Sequence, residues 1–360
     1  MKSRIEKLFN GKNEGTAYLI SNESNVKYMS GFTGEASYLI LSDMGHAFMT
    51  DGRYDEQARQ ECPDFEVSKW HNPSRPDPET IIHYLKKFEV KALKFNEHSI
   101  TFSQYTKLSN AIKDHNLTVD LIPMSGEVEA LRAVKETEEL DNLRKACQIA
   151  DKALESLLPY IKVGVSELEL VGQLEYFLKK YGAENISFDT IILSGVKTAL
   201  PHGKPSAKLL ESGDFLQVDF GALYKGYHSD MSRTFIIGEL DDKKKLIYDM
   251  MLEATLAGTK ALKDDIPASE PDDAVRQIIT DEFIKYYYPG LGHGVGLDVH
   301  ETPFMSQTST ARIQKGNVVT IEPGVYIPGY GGMRIEDTIL VTEDGFEVLT
   351  HFPRALQVLG

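Results

Sequence analysis

The chain has 360 residues, 41% hydrophobic and 26% charged, with a formal net charge of −15. That length exceeds what one hydrophobic core usually supports, so two domains are expected. The acidic balance argues against nucleic acid or an anionic membrane as the main partner, since both require a positive face, and the two cysteines, Cys62 and Cys147, are too few for a disulfide framework or a cysteine metal cluster.

The opening stretch MKSRIEKLFNGKNEG interrupts every apolar run with charge, and no later segment reaches the roughly 18 uninterrupted apolar residues of a membrane span. The expectation is a cytoplasmic protein with no signal peptide. In the first third, "TAYLIS" (16–21), "SYLILS" (37–42), "HAFMT" (46–50), "FEVS" (65–68), "VKALKF" (90–95) and "TVDLIP" (118–123) read as strands. "TDGRYDEQARQEC" and "PETIIHYLKKFE" read as helices between them. Such mixed runs predict an α/β layer domain over 1–126.

A boundary is expected near residue 125, followed by a second domain over 127–360. It opens on a long helix, in which Leu140, Leu143, Cys147, Ala150 and Leu154 recur at steps of three and four and neither Pro nor Gly occurs between Gly126 and Pro159. A second amphipathic helix fits 165–181, and two more fit 243–263 and 270–286. Strands and tight turns fill the remainder, so this part reads as α+β.

Within it, "VDFGALYKGYHSD" (218–230) places Asp219 and Asp230 on either side of a Tyr-Lys-Gly turn. A turn centred between Tyr224 and Lys225 sets the two aspartates directly across from each other. Opposed like charges destabilise a hairpin unless a cation offsets them. "IEPGVYIPGYGGMRIEDT" repeats the arrangement, with Glu322 and Glu336 equidistant from Gly329 inside "PGYGG". Fifty-four acidic residues make chance pairs at hairpin ends common. The setting favours a metal site nonetheless, because Asp219 follows "LQV" and Glu322 follows "VVTI", where an uncompensated acid is costly to bury.

Three histidines sit in unusual settings. His293 and His300 lie in "GLGHGVGLDVHE", and His202 lies in "LPHGKPS" between Pro201 and Pro205. A lone histidine in a glycine-rich loop is ordinarily incidental. Carboxylates and imidazole together, without thiolate, suit Mn, Co, Zn or Fe(II) in a hydrolytic site.

The stretches "SFDTIILSG", "ALPHGKPS", "VDFGALYKGYHSDMSRTF", "GLGHGVGLDVHE", "IEPGVYIPG" and "GGMRIEDT" come in order over 187–338. In that order they resemble the pita-bread metallopeptidases, in the branch of Xaa-Pro aminopeptidase and Xaa-Pro dipeptidase (prolidase). "NVKYMSGFTG" and "TDGRYDEQA" resemble the N-terminal creatinase/prolidase-type domain, so the likeness spans nearly the whole chain. It implies a creatinase/prolidase-like α/β domain followed by an α+β pita-bread catalytic domain. It also implies a metal-dependent exopeptidase that hydrolyses the Xaa-Pro bond at the N-terminus of dipeptides or short peptides.

The same resemblance implies two divalent ions, manganese first, with cobalt, zinc or iron as alternatives. Asp219, Asp230, His293, Glu322 and Glu336 would be the ligands, with Asp230 and Glu336 bridging and a hydroxide held between the ions. His202 and His300 would contact substrate and, with Glu322, serve catalysis, while Arg334 would orient carboxylates or substrate. A homodimer is implied by family habit. The sequence departs from the family at Pro289, four residues before His293, where a histidine is common. Two other readings are a metal-free creatinase-like or binding protein on the same fold, and a purely structural pair of acidic hairpins.

Overall fold

A computed structural model describes residues 2–10, 14–70 and 78–360. The chain separates into two compact units, Met1–Arg132 and Ala133–Gly360. The first is built on a six-stranded sheet in the order Glu66–Lys69, Gly45–Thr50, Ser37–Ser42, Thr16–Ile20, Ala92–Asn96, Asp120–Met124. Thr16–Ile20 lies inside the sheet, antiparallel to Ser37–Ser42 and parallel to Ala92–Asn96, and all of its residues are buried. This explains why "TAYLI" reads as a run without polar alternation: helices cover both faces of such a strand.

The helices Asp55–Glu61 and Pro78–Lys87 form where the sequence predicts them. Two others carry local signals that the strand pattern obscures. Glu23–Ser30 is capped by the Asn22 side chain and stopped by Gly31 at φ +76°. Phe102–Asp114 opens with a reciprocal capping box between Thr101 and Gln104.

The predicted single helix after Gly126 is two helices, Glu127–Ala133 and Thr137–Leu157. Neither proline nor glycine breaks the run. Glu136 adopts extended backbone and forms a capping box with Glu139, which starts the second helix afresh. The shorter helix packs with the first unit. Asn25 and Asn96 both donate side-chain hydrogen bonds to Glu129, at 2.8 and 2.9 Å, and Arg132 donates to Asn25 at 2.7 Å.

The second unit pairs each of two sheets with two helices. A four-stranded sheet, Val358–Leu359, Met231–Ile237, Phe215–Phe220, Ile191–Ser194, shares one core with Thr137–Leu157 and Glu167–Lys180. A five-stranded sheet, Glu301–Met305, Gly292–Gly294, Val318–Ile321, Asp337–Val341, Phe346–Val348, shares another with Asp242–Ala261 and Glu270–Ile278. The last helix is shorter than the predicted 270–286. At Ile279 the backbone turns extended, and only a single 3-10 turn, Ile284–Tyr286, follows.

Candidate metal centre and its surrounding cavity

The first hairpin turns at Lys225–Gly226, both with positive φ (+49° and +79°), which is the two-residue turn that matches strand twist. Its centre therefore lies one residue later than the midpoint of Tyr224 and Lys225. Asp219 pairs with Ser232 instead of Asp230. Moving the centre by one residue moves the partner by two, so the face is preserved. Asp230 consequently sits diagonal to Asp219 on one face, where direct opposition of like charges is avoided. Gly221 makes this possible: a Cβ there would come within 1.8 Å of the Ser229 carbonyl oxygen.

The second hairpin turns about Gly329, at φ +73°. Gly324 pairs with Arg334 on one side and Ile321 with Asp337 on the other, so Glu322 faces Glu336 between the two ladders. The ladder is open at that point. The Glu322 amide donates to the Leu291 carbonyl at 2.9 Å, and the Glu336 amide to the Ser232 carbonyl at 3.1 Å. The two glutamates thus sit where the strands part, and each is held by a different neighbouring segment.

His293 enters from the adjoining strand Gly292–Gly294, with its amide bonded to Thr320 Oγ1 at 3.1 Å. Its flanking glycines are sterically required. A Cβ at Gly292 would lie 2.1 Å from the Thr320 carbonyl oxygen, and one at Gly294 2.4 Å from that of Thr302. His293 Nδ1 donates to the Gly294 carbonyl at 2.9 Å, which aims Nε2 at the acids. Nε2 lies 3.2 Å from Glu322 Oε1 and 3.7 Å from Asp230 Oδ2.

Asp230, His293 and Glu336 each offer a ligand atom within 4.8 Å of the others, and all three are buried. Glu336 Oε2 accepts from Ser232 Oγ at 2.7 Å, while its Oε1 has no partner. Asp219 Oδ2 accepts from Arg334, while its Oδ1 has no partner. Buried carboxylate oxygens without donors are rare in folded proteins. Hard oxygen donors beside an imidazole, with two such oxygens left over, fit divalent cations.

The electrostatics agree. Burial, then mutual repulsion with Asp230, pushes the Glu336 carboxyl far above the usual range. Burial, then Asp219, does the same to Asp230. Burial also raises Asp219, against the pull of Arg334. For Glu322 burial is outweighed by His293, whose hydrogen bond and charge hold the carboxyl below its ordinary value. His293 in turn is raised to about 9: burial opposes its charge, and Glu322 and Asp230 overcome that opposition. Without a metal ion, the cluster therefore binds extra protons.

Arg334 joins the acids to the second hairpin. It donates to Ser232 Oγ at 2.8 Å, to Tyr326 OH at 2.7 Å and to Asp219. Ser232 and Tyr326 escaped the sequence reading. Tyr326 lies within the quoted "IEPGVYIPG", and the corrected register reveals Ser232 opposite Asp219.

All five acid and imidazole positions line one cavity of about 470 Å³, together with His202, His300 and Arg334. The His300 ring lies 4.4 Å from that of His293, centroid to centroid. Loss of surrounding water, and then the charge of His293, depress its pKa. Phe188, Tyr288, Val299 and Phe304 supply an apolar wall. Tyr288 and Gly290 line the cavity, whereas Pro289 between them is exposed and does not.

Residues 141–343 match metallopeptidase family M24, and residues 4–134 match the creatinase/prolidase N-terminal domain. The chain is 37% identical over 363 residues to the Xaa-Pro dipeptidase of Pyrococcus furiosus, covering 99% of this chain and 100% of that protein. It is similar in structure to an Xaa-Pro dipeptidase from Bacillus anthracis, with a TM-score of 0.93, 40% identity and 99% of both chains covered. It is also similar to an X-Pro aminopeptidase from Thermotoga maritima, with a TM-score of 0.89, 34% identity, 99% of this chain and 100% of that one covered. The two-sheet, two-helix-pair unit is thus the pita-bread fold. Cavity, acids and imidazole occupy the part of the sequence that carries the match, and the chain belongs to metallopeptidase family M24, preceded by a creatinase/prolidase N-terminal domain.

Proposed function

We propose that the protein is a metal-dependent exopeptidase that hydrolyses the Xaa-Pro bond at the N-terminus of dipeptides or short peptides. The observation that carries this reading is the cluster of Asp219, Asp230, His293, Glu322 and Glu336 around one cavity, with carboxylate oxygens left unpartnered. These five would hold two divalent ions, manganese in the first instance, with cobalt, zinc or iron as alternatives. Bound ions of this kind polarise a carbonyl and acidify water.

The chain's own residues supply the rest. Glu322, at the cavity, accepts the proton of the attacking water. His202 and His300 reach the same cavity and donate hydrogen bonds to the oxygen that gains charge as the carbonyl is attacked. His300, which lines the same cavity, passes that proton on to the departing proline nitrogen. Arg334 fixes Asp219 and Tyr326 from behind.

The preference for proline follows from its chemistry and from the named relatives. An Xaa-Pro bond has no N–H, and its ring fixes φ. A site that takes it needs apolar surface for the ring instead of an acceptor for the amide. Phe188, Tyr288, Val299 and Phe304 offer such surface. Relatives named dipeptidase and aminopeptidase both support an N-terminal Xaa-Pro cleavage.

A homodimer belongs to the proposal on the family likeness. A cytoplasmic setting is supported by two buried free thiols, Cys62 and Cys147. No described helix is long and apolar enough to cross a membrane. The test is to compare rates on Xaa-Pro and Xaa-Pro-Yaa peptides across manganese, cobalt, zinc and iron. Turnover of the dipeptide alone indicates a dipeptidase, and turnover of both an aminopeptidase. Inactivity on both with every metal overturns the proposal.

A further inference from the structure

The loop that carries His202 leaves the strand Ile191–Ser194 and returns at Ser206. Both of its ends converge on one side chain that does not line the cavity. Glu167 is the first residue of the helix Glu167–Lys180, and it is completely buried. Its Oε1 accepts from the Ser194 amide at 2.8 Å and from Ser194 Oγ at 3.1 Å. Its Oε2 accepts from the Ser206 amide at 2.8 Å, from Ser206 Oγ at 2.9 Å, and from Lys197 Nζ.

Lys197 then closes the loop from within, donating to the Lys204 carbonyl at 3.1 Å and to Ser206 Oγ at 2.7 Å. Thr198, on the same segment, accepts from the Gly332 amide at 2.8 Å and so ties the loop to the strand that ends in Arg334. A buried carboxylate is tolerated only when charge and hydrogen bonds compensate it. Here five donors do so, and the ionised form is favoured: burial opposes it, but Lys197, Ser194 and Ser206 hold the Glu167 carboxyl below its ordinary range.

We propose that Glu167 is a positioning residue for catalysis: its carboxylate clasps both ends of the 194–206 loop and thereby holds His202 at the cavity. This rests on the proposed role of His202. The loop is also tied by the Leu168 amide, which donates to the Ser206 carbonyl at 3.2 Å, and by Thr198 to Gly332, but the Glu167 carboxylate is what joins its two ends to each other. Its own backbone bonds, Leu200 to Lys197 and Gly203 to Leu200, shape the turn but do not join it to the helix. Replacing the acceptor by an amide of the same size turns one of its oxygens into a donor that faces donors. The loop then shifts without loss of bulk.

The experiment is a double-mutant cycle with Glu167→Gln and His202→Ala on an alanyl-proline substrate in the metal-loaded protein, with kcat, KM, metal content and thermal stability measured for each variant. The expected result is a kcat loss in Glu167→Gln of about tenfold to a hundredfold, the scale of a misplaced catalytic group. Metal content should stay at the wild-type level. The double variant should be no slower than His202→Ala alone, because a clasp has nothing left to position once the imidazole is gone.

Multiplying losses, or wild-type kcat in Glu167→Gln while His202→Ala is impaired, overturns the clasp and leaves the function standing. Wild-type kcat in His202→Ala overturns the role of His202 and the clasp with it. Should Glu167→Gln not fold, Ser206→Ala replaces it in the same cycle, since it removes one donor and leaves the carboxylate paired. Wild-type kcat or multiplying losses there count equally against the proposal.

Discussion

Glu322 and Glu336 face each other at the point where their strands cease to bond to one another, and each amide is taken by a different segment. A β-ladder that parts around two acids exposes their side chains to a third and a fourth, Asp230 and Asp219, in one cavity. The repulsion that results has measurable consequences in the metal-free protein.

The first concerns stability against pH. Glu336 has a folded-state pKa far above its ordinary value because of burial and Asp230. A raised value means that stability is fully present below the unfolded pKa and is lost as pH rises through the folded one. The metal-free protein should therefore lose thermal stability as pH rises above the normal glutamate range. Glu336→Gln should match wild type in acid and exceed it at alkaline pH. Thermal unfolding in excess chelator across that range checks this. A variant that melts lower at every pH marks Glu336 as a structural acid.

Metal uptake should release protons. His293 is raised to about 9 by Glu322 and Asp230, although burial opposes its charge, so it is protonated at neutral pH in the metal-free state. A metal ligand must give up that proton, and protonated carboxyls must do the same. Apparent affinity should accordingly rise with pH until His293 is neutral. Calorimetric titration of manganese in buffers of different ionisation enthalpy reads the released protons directly. A buffer-independent enthalpy would contradict the arrangement.

Arg334 should not be replaceable by lysine. It spans Ser232 Oγ, Tyr326 OH and Asp219 at once, which a planar fork does and an ammonium cannot. Arg334→Lys leaves buried partners unpaired and frees Asp219 to turn. Metal affinity should fall by about tenfold to a hundredfold, the usual effect of losing a group that orients a ligand. Competition with a chromogenic chelator measures this. Unchanged affinity would place Arg334 outside the support of the acids.

Behind the site, Asp337 is fully buried and accepts from Arg233 at 2.8 Å, from Thr350 at 2.7 Å, and from Arg354. Burial opposes its charge, but Arg233 and Arg354 win and hold the carboxyl below its ordinary value. A depressed value contributes stability above the unfolded pKa, and that stability is lost as pH falls through the folded one. Asp337→Asn should destabilise the protein by about 3–5 kcal/mol at neutral pH, because it leaves the buried Arg233 and the half-buried Arg354 without their carboxylate. The gap to wild type should narrow in acid. Denaturant unfolding at two pH values tests both the size and the sign.

The strands of the first unit are legible in the sequence because their apolar runs are bounded by turn residues, as at "SYLILS" and Ser37–Ser42. The break at Val134–Glu136 is not, because neither proline nor glycine marks it. It is set by the Glu136–Glu139 capping box and by the bond from the Lys135 amide to the Gly316 carbonyl, far along the chain. The Glu322–Glu336 register is legible because "PGYGG" admits one centre. The Asp219–Asp230 register slips because Lys225, like Gly226, takes a positive φ, a conformation its residue type does not advertise. Of the residues that support the site, Ser232 and Glu167 act through partners distant in sequence, and Tyr326 through Arg334 across its own hairpin. Only the folded chain brings them together.

If these acids and His293 hold the ions that hydrolysis needs, bound metal and activity must rise and fall together. The most direct measurement strips the purified protein with a chelator, restores manganese in steps, and follows bound metal and alanyl-proline hydrolysis in the same samples. The stripped protein should show no turnover, and recovery should rise with occupancy to two ions per chain. Asp230→Ala should neither retain metal nor recover. Turnover that survives complete removal of metal, or full activity in Asp230→Ala, would contradict this.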